Sequence, residues 1–121
     1  MSINSYQDLK VWQVSMDLVE QFYLLTQSFP KQEVYGLTSQ VQRSAVSLPS
    51  NIAEGHARDS TKEFLHHLSI TLGSLAELET QLILAERLTY LDRKDLDVLL
   101  LKTNETGRML RGLQKALKAK L

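Results

Sequence analysis

Apolar residues recur at steps of three and four along almost the whole chain, and only two prolines and five glycines interrupt them. Such steps follow the helical period, whereas a half-buried strand alternates every second residue. The chain is therefore expected to be all-α. The pattern predicts four helices, over about 8–28, 38–57, 61–88 and 93–119. Phe29-Pro30 closes the first. Thr38 is the expected N-cap of the second, Ser60 with Glu63 three residues on gives the third a capping-box start, and Asp92 is the N-cap of the fourth. Short connections make consecutive helices antiparallel neighbours, so residues 1–121 are read as a single domain, an up-down-up-down four-helix bundle.

Composition narrows the function classes. Fourteen basic residues balance fourteen acidic ones, so no global field drives the chain onto nucleic acid or an anionic membrane, and any such binding has to be local. Cysteine is absent, which excludes disulfides and thiolate chemistry and fits a reducing compartment. The N-terminus, MSINSYQDLKVW, has no basic segment leading into an apolar one, and no apolar run approaches the ~18 residues that span a bilayer. A soluble cytoplasmic protein with no membrane partner is the expectation.

The first helix carries two apolar stripes. Leu9, Trp12, Met16, Val19 and Tyr23 make one, and Val11, Val14, Leu18, Phe22 and Leu25 the other. Together they cover roughly 200° of the helix where a bundle helix needs little more than 100°. One face is left without a partner inside a lone subunit, and at ~25 cal/mol per Å² its burial favours association by several kcal/mol. A homo-oligomer is expected.

The third helix is expected to bury Phe64, Leu68, Leu72, Leu75, Leu78 and Leu82, and the fourth Leu96, Leu99, Thr103, Gly107, Leu110 and Leu117. Glu79 falls within the apolar arc of the third, where an unpaired carboxylate is costly to desolvate. It is read as a buried polar group with a partner, Arg43 first, then the Trp12 indole or Gln40.

The second helix has a narrow apolar stripe, Val41, Ala45, Leu48 and Ile52, beside a polar row of Gln40, Arg43, Ser47, Asn51, Glu54 and Arg58. Solvated faces usually use Lys and Glu. Ser, Asn, Gln and Arg suit an interface of defined hydrogen bonds, so the row is a candidate binding or subunit-contact surface. Pro49 removes a backbone donor and displaces the Ala45 carbonyl, which predicts a kink or local loosening with Ser47 or Ser50 serving the freed group. Ala45, Ala53 and Gly55 permit close helix approach.

The run YGLTSQVQRSAVSLPSNIAEG, with SYQDLKVWQ before it and GSLAELETQLILAERLTYL after it, closely resembles the four-helix-bundle proteins encoded by intervening sequences in bacterial 23S ribosomal RNA genes. The likeness extends from about Tyr6 to Leu91. It implies a left-handed up-down bundle assembled as a ring-like homopentamer; the number five comes from the resemblance alone. Relatives include accessory proteins of diversity-generating retroelements, which are strongly basic and bind nucleic acid and a reverse transcriptase. The zero net charge of this chain departs from them. A local exception is the stripe Arg108, Arg111, Lys115 and Lys118, followed by Lys120, with no acid after Glu105. It is a candidate basic patch, multiplied by a ring; the blander account is cation placement at a helix C-terminus.

No reaction centre is legible. A di-iron bundle needs Glu-x-x-His on two helices, and Glu63 with His66 is the only such pair. His66 and His67 are adjacent and point about 100° apart, so they cannot chelate one metal as an i, i+4 pair can. Phosphate-cradling loops, Ser/His/Asp sets and nucleophile elbows are missing. The expectation is a non-enzymatic binding or accessory module for RNA, DNA or a nucleic-acid-processing protein, with no cofactor, metal or small-molecule substrate. Its rival is a structural assembly protein with no nucleic-acid contact.

Overall fold

Four α-helices carry most of the chain: α1 (Lys10–Thr26), α2 (Leu37–Ala57), α3 (Thr61–Arg87) and α4 (Arg93–Lys118). They belong to a computed structural model that describes residues 5–121. The first four residues, with their share of the expected domain and of the N-terminal reading, lie outside the described residues. Among the described residues there is no strand.

Each helix end has a local cause. Ser5 Oγ accepts the Gln7 N–H at 3.1 Å and caps a 3₁₀ turn at Tyr6–Asp8, so α1 begins two residues later than expected. Its last turn tightens into i to i−3 bonds from Gln27, Ser28 and Phe29 before Pro30 stops it. Thr38 does not cap α2, contrary to expectation. Gly36 holds the cap position, Thr38 is buried inside the first turn, and Glu33 Oε1 accepts the Leu37 N–H at 3.0 Å. A carboxylate reaching forward from the preceding 3₁₀ turn, Lys31–Glu33, satisfies one orphan donor at the start of the helix in place of a hydroxyl cap. Ser60 accepts from Glu63 N–H at 3.2 Å, and Asp92 from Asp95 N–H at 2.8 Å, as predicted. α3 ends with Thr89 at φ 67°, where Tyr90 N–H donates to Ala85 O at 2.9 Å and Thr89 N–H to Glu86 O at 3.0 Å. This is the Schellman arrangement, with a β-branched residue where glycine is usual.

The buried residues form one apolar cluster drawn from all four helices. α2 packs most closely on α3 and then on α1, and α4 lies against α3 with lighter contact to α1. The predicted stripes of α2 and α4 are buried throughout. On α3 Leu72 is only half-buried, while Thr71 and Ala85 join the core.

Two expectations change. The first apolar stripe of α1 is not left bare: Leu9 is buried and Trp12 and Val19 are half-buried, because α2 brings Val46, Pro49 and Ala53 alongside them. Met16 and Tyr23 keep 42% exposure each, so the unpartnered surface is narrower than the wheel implied. α2 stays one helix through Pro49, which is itself buried. Ser47 does not serve the freed carbonyl, since it is engaged with Ser74 and Asn51.

Candidate binding surfaces on α2, α3 and α4

Glycine at position 55 brings α3 against α2: a Cβ there would stand 2.6 Å from the Cβ of His67. Along this approach the predicted polar row meets a matching row on α3. Ser44 Oγ donates to Glu77 Oε1 at 3.0 Å, and Ser47 Oγ lies 2.8 Å from Ser74 Oγ. Asn51 Nδ2 donates both to the Ser47 carbonyl, at 3.0 Å, and to Ser47 Oγ, at 2.9 Å. His67 Nδ1 sits 3.4 Å from Asn51 Oδ1 and 3.9 Å from Glu54 Oε2, and Arg58 reaches Glu54 at 3.7 Å. The middle of the row, Ser47 and Asn51, is therefore spent within the subunit. Gln40, Arg43, Glu54 and Arg58 are exposed.

At one end of this seam the helices leave a notch of about 280 Å³, lined by Gln40, Arg43, Ser44 and Ser47 from α2 and Ser74, Glu77 and Gln81 from α3. Gln81 is 7% exposed, and its Oε1 is buried without a hydrogen-bond partner. Ser44, His67, Ser74, Glu77 and Gln81 were not singled out from the sequence. Ser74, Glu77 and Gln81 are spaced by three and four, the same signal that exposed the row on α2.

Glu79 has a partner, though none of those expected. It is half-buried and accepts from Thr103 Oγ1 of α4 at 2.6 Å. Arg43 and Gln40 line the notch beside Glu77, and residues two apart on a helix point about 200° apart, so neither can reach Glu79. Trp12 instead meets the Tyr6 ring edge-on at 5.3 Å.

Arg108, Arg111, Lys115, Lys118 and Lys120 are all exposed, and among the described residues none is paired with a carboxylate. Arg111 folds back along α4, its guanidinium lying 3.2 Å from where a Gly107 Cβ would stand. Lys120 also borders an opening of about 580 Å³ with Arg58 and His56, floored by Phe64, Leu113 and Leu117. Glu63 and His66 are both exposed, and among the described residues no three His, Asp or Glu side chains converge as a metal site would require. No described helix is long and apolar enough to cross a membrane.

In class this is an all-α protein of four helices whose polar chemistry is gathered in a helix–helix seam and a cationic helix end. The chain belongs to the family of 23S rRNA-intervening sequence proteins, which residues 7–112 match. The fold is similar to the crystal structure of a protein of unknown function from the S23 ribosomal protein family of Bacteroides thetaiotaomicron. The TM-score is 0.79 at 24% identity, over 87% of this chain and 95% of that one. Among curated proteins, none matches the chain.

Proposed function

We propose that this protein is a non-catalytic, cytoplasmic binding module that works as a homo-oligomeric ring and holds RNA or DNA through the cationic end of α4. One observation carries the reading: on a chain of zero net charge, four exposed cations at steps of three, four and three lie on one helix face, and among the described residues none of them is paired with a carboxylate. Repetition around a ring multiplies that face. A left-handed up-down-up-down bundle assembled as a pentamer is the architecture implied by the family resemblance. The antiparallel part is supported by cross-helix partners whose numbers rise on one helix as they fall on the next. Ser44 with Glu77, Ser47 with Ser74 and Asn51 with His67 join α2 to α3, and Ser69 with Gln114 and Glu79 with Thr103 join α3 to α4.

A second reading has its own support. Gln40 and Arg43 are exposed at the start of the α2 row, where a neighbouring subunit seated on α2 would meet them, and in this reading they serve assembly with no nucleic-acid contact. The two are separated by titrating ribosomal RNA and duplex DNA across a salt series. Phosphate contacts give a falling line of log K against log salt, with about 0.9 of slope per contact for duplex and 0.7 for single strands. Arg111→Glu with Lys115→Glu should remove binding and leave the assembly mass unchanged. Absent binding, or affinity indifferent to that double change, overturns the nucleic-acid reading and leaves the structural one.

A further inference from the structure

We propose that the notch between α2 and α3 is a binding site for a small zwitterion, a free α-amino acid, held and not transformed. Its walls carry opposite charges that do not meet. Arg43 on α2 and Glu77 on α3 both line the notch, and among the described residues neither forms an ion pair. Two unlike charges facing one opening without closing on each other are the complement of a ligand that bears a carboxylate and an ammonium a few ångströms apart.

The neutral groups divide in the same way. Ser47 Oγ accepts from Asn51 Nδ2, and its 2.8 Å contact with Ser74 uses only one of the two hydroxyl hydrogens. Whichever serine donates, the other's hydrogen remains free, so the notch offers a carboxylate one hydroxyl donor besides the Arg43 guanidinium. For the ammonium there is the Glu77 carboxylate, with the Gln81 side chain beside it on the same wall. Gln81 Oε1 itself is a buried acceptor without a donor. Ser44, also buried, fixes Glu77 at 3.0 Å. A volume of about 280 Å³ is room enough for a small amino acid. This inference is independent of the nucleic-acid reading, which rests on α4.

The probe is L-alanine, titrated into the full-length protein and followed by backbone amide shifts. Propionate and ethylammonium serve as its two singly charged halves. Saturable shifts centred on Ser44, Ser74 and Gln81 are expected with alanine, and none with either half at the same concentration. Arg43→Gln and Glu77→Gln alter exposed side chains and should each weaken binding about tenfold or more. Gln81→Leu should do likewise while keeping the side-chain volume, and Arg111→Glu should change nothing. An equal response to propionate means an anion held by Arg43 alone and overturns the proposal. So does absence of saturation, or a fall in assembly mass in Arg43→Gln and Glu77→Gln without any response to alanine, which assigns the notch to a subunit contact.

Discussion

A missing side chain at Gly55 and a hydroxyl at Thr103 decide more than their size suggests. With 2.6 Å between a would-be Cβ and His67, Gly55→Ala forces α2 and α3 apart or pushes His67 out of reach of Asn51. Overpacking of this kind costs about 1–3 kcal/mol, against the roughly 1 kcal/mol at most that alanine gains as a better helix former. Urea denaturation should show that net loss. Thr103 is fully buried and donates to Glu79 at 2.6 Å. Thr103→Val keeps the shape and removes the donor, leaving a half-buried carboxylate without its partner. A loss of about 1–3 kcal/mol is expected, and Thr103→Ser should recover most of it. Equal stability of the Val and Ser variants would show that Glu79 draws nothing from the bond.

At the scale of elements, the two far connections are tied by one carboxylate. Glu33 takes the Leu37 N–H on one oxygen and, at 2.8 Å, the Tyr90 hydroxyl on the other, so the α1–α2 connection, the start of α2 and the turn after α3 share a residue. The backbone bond first and the Tyr90 hydroxyl second hold the Glu33 carboxyl below the ordinary glutamate value. The same contact, followed by burial and the facing charge, raises the Tyr90 phenol above its own. A depressed folded-state value stabilises above the unfolded value, about 4.3, and that contribution is lost as pH falls through the lowered one. A raised phenol stabilises below its unfolded value, about 10, and is lost as pH rises through the folded one. The clamp therefore works across the neutral range and fails at both extremes. Tyr90→Phe should flatten the alkaline limb of a stability–pH profile and weaken the acid limb, which Leu37 N–H sustains in part; an unchanged profile would remove the clamp from the argument.

For the whole molecule, the question is what covers α1. Met16 and Tyr23 remain 42% exposed beside a groove of about 350 Å³ shared with Trp12, Val46 and Pro49. Across α1 lies a second apolar groove, where Leu24 is 66% exposed and faces Val98 of α4. Stable interfaces bury about 800 Å² per partner, more than either groove provides alone. Two unlike apolar faces on one subunit suit the head-to-tail contact that the proposed ring requires better than a self-complementary one. Met16→Glu with Tyr23→Glu should shift the sedimenting species toward the 13.8 kDa of one chain. If the unaltered protein already sediments as a stable single chain at micromolar concentration, the assembly is wrong and the ring with it.

Much of this protein is written locally. Helix periodicity, the caps at Ser60 and Asp92, and the buried stripes of α2 and α4 depend on residues three or four apart, so the order of the chain alone determines them. The polar row on α2 was legible for the same reason. What stayed hidden depends on residues far apart in sequence: the partnership of Glu79 with Thr103, the cap from Glu33, the cover that α2 gives Trp12, and the notch with its unmatched Gln81. A helical wheel fixes the direction in which a side chain leaves its own axis. Which neighbouring helix stands there, and at what height, is set only when four axes pack, because that choice minimises exposed apolar area over the whole molecule at once.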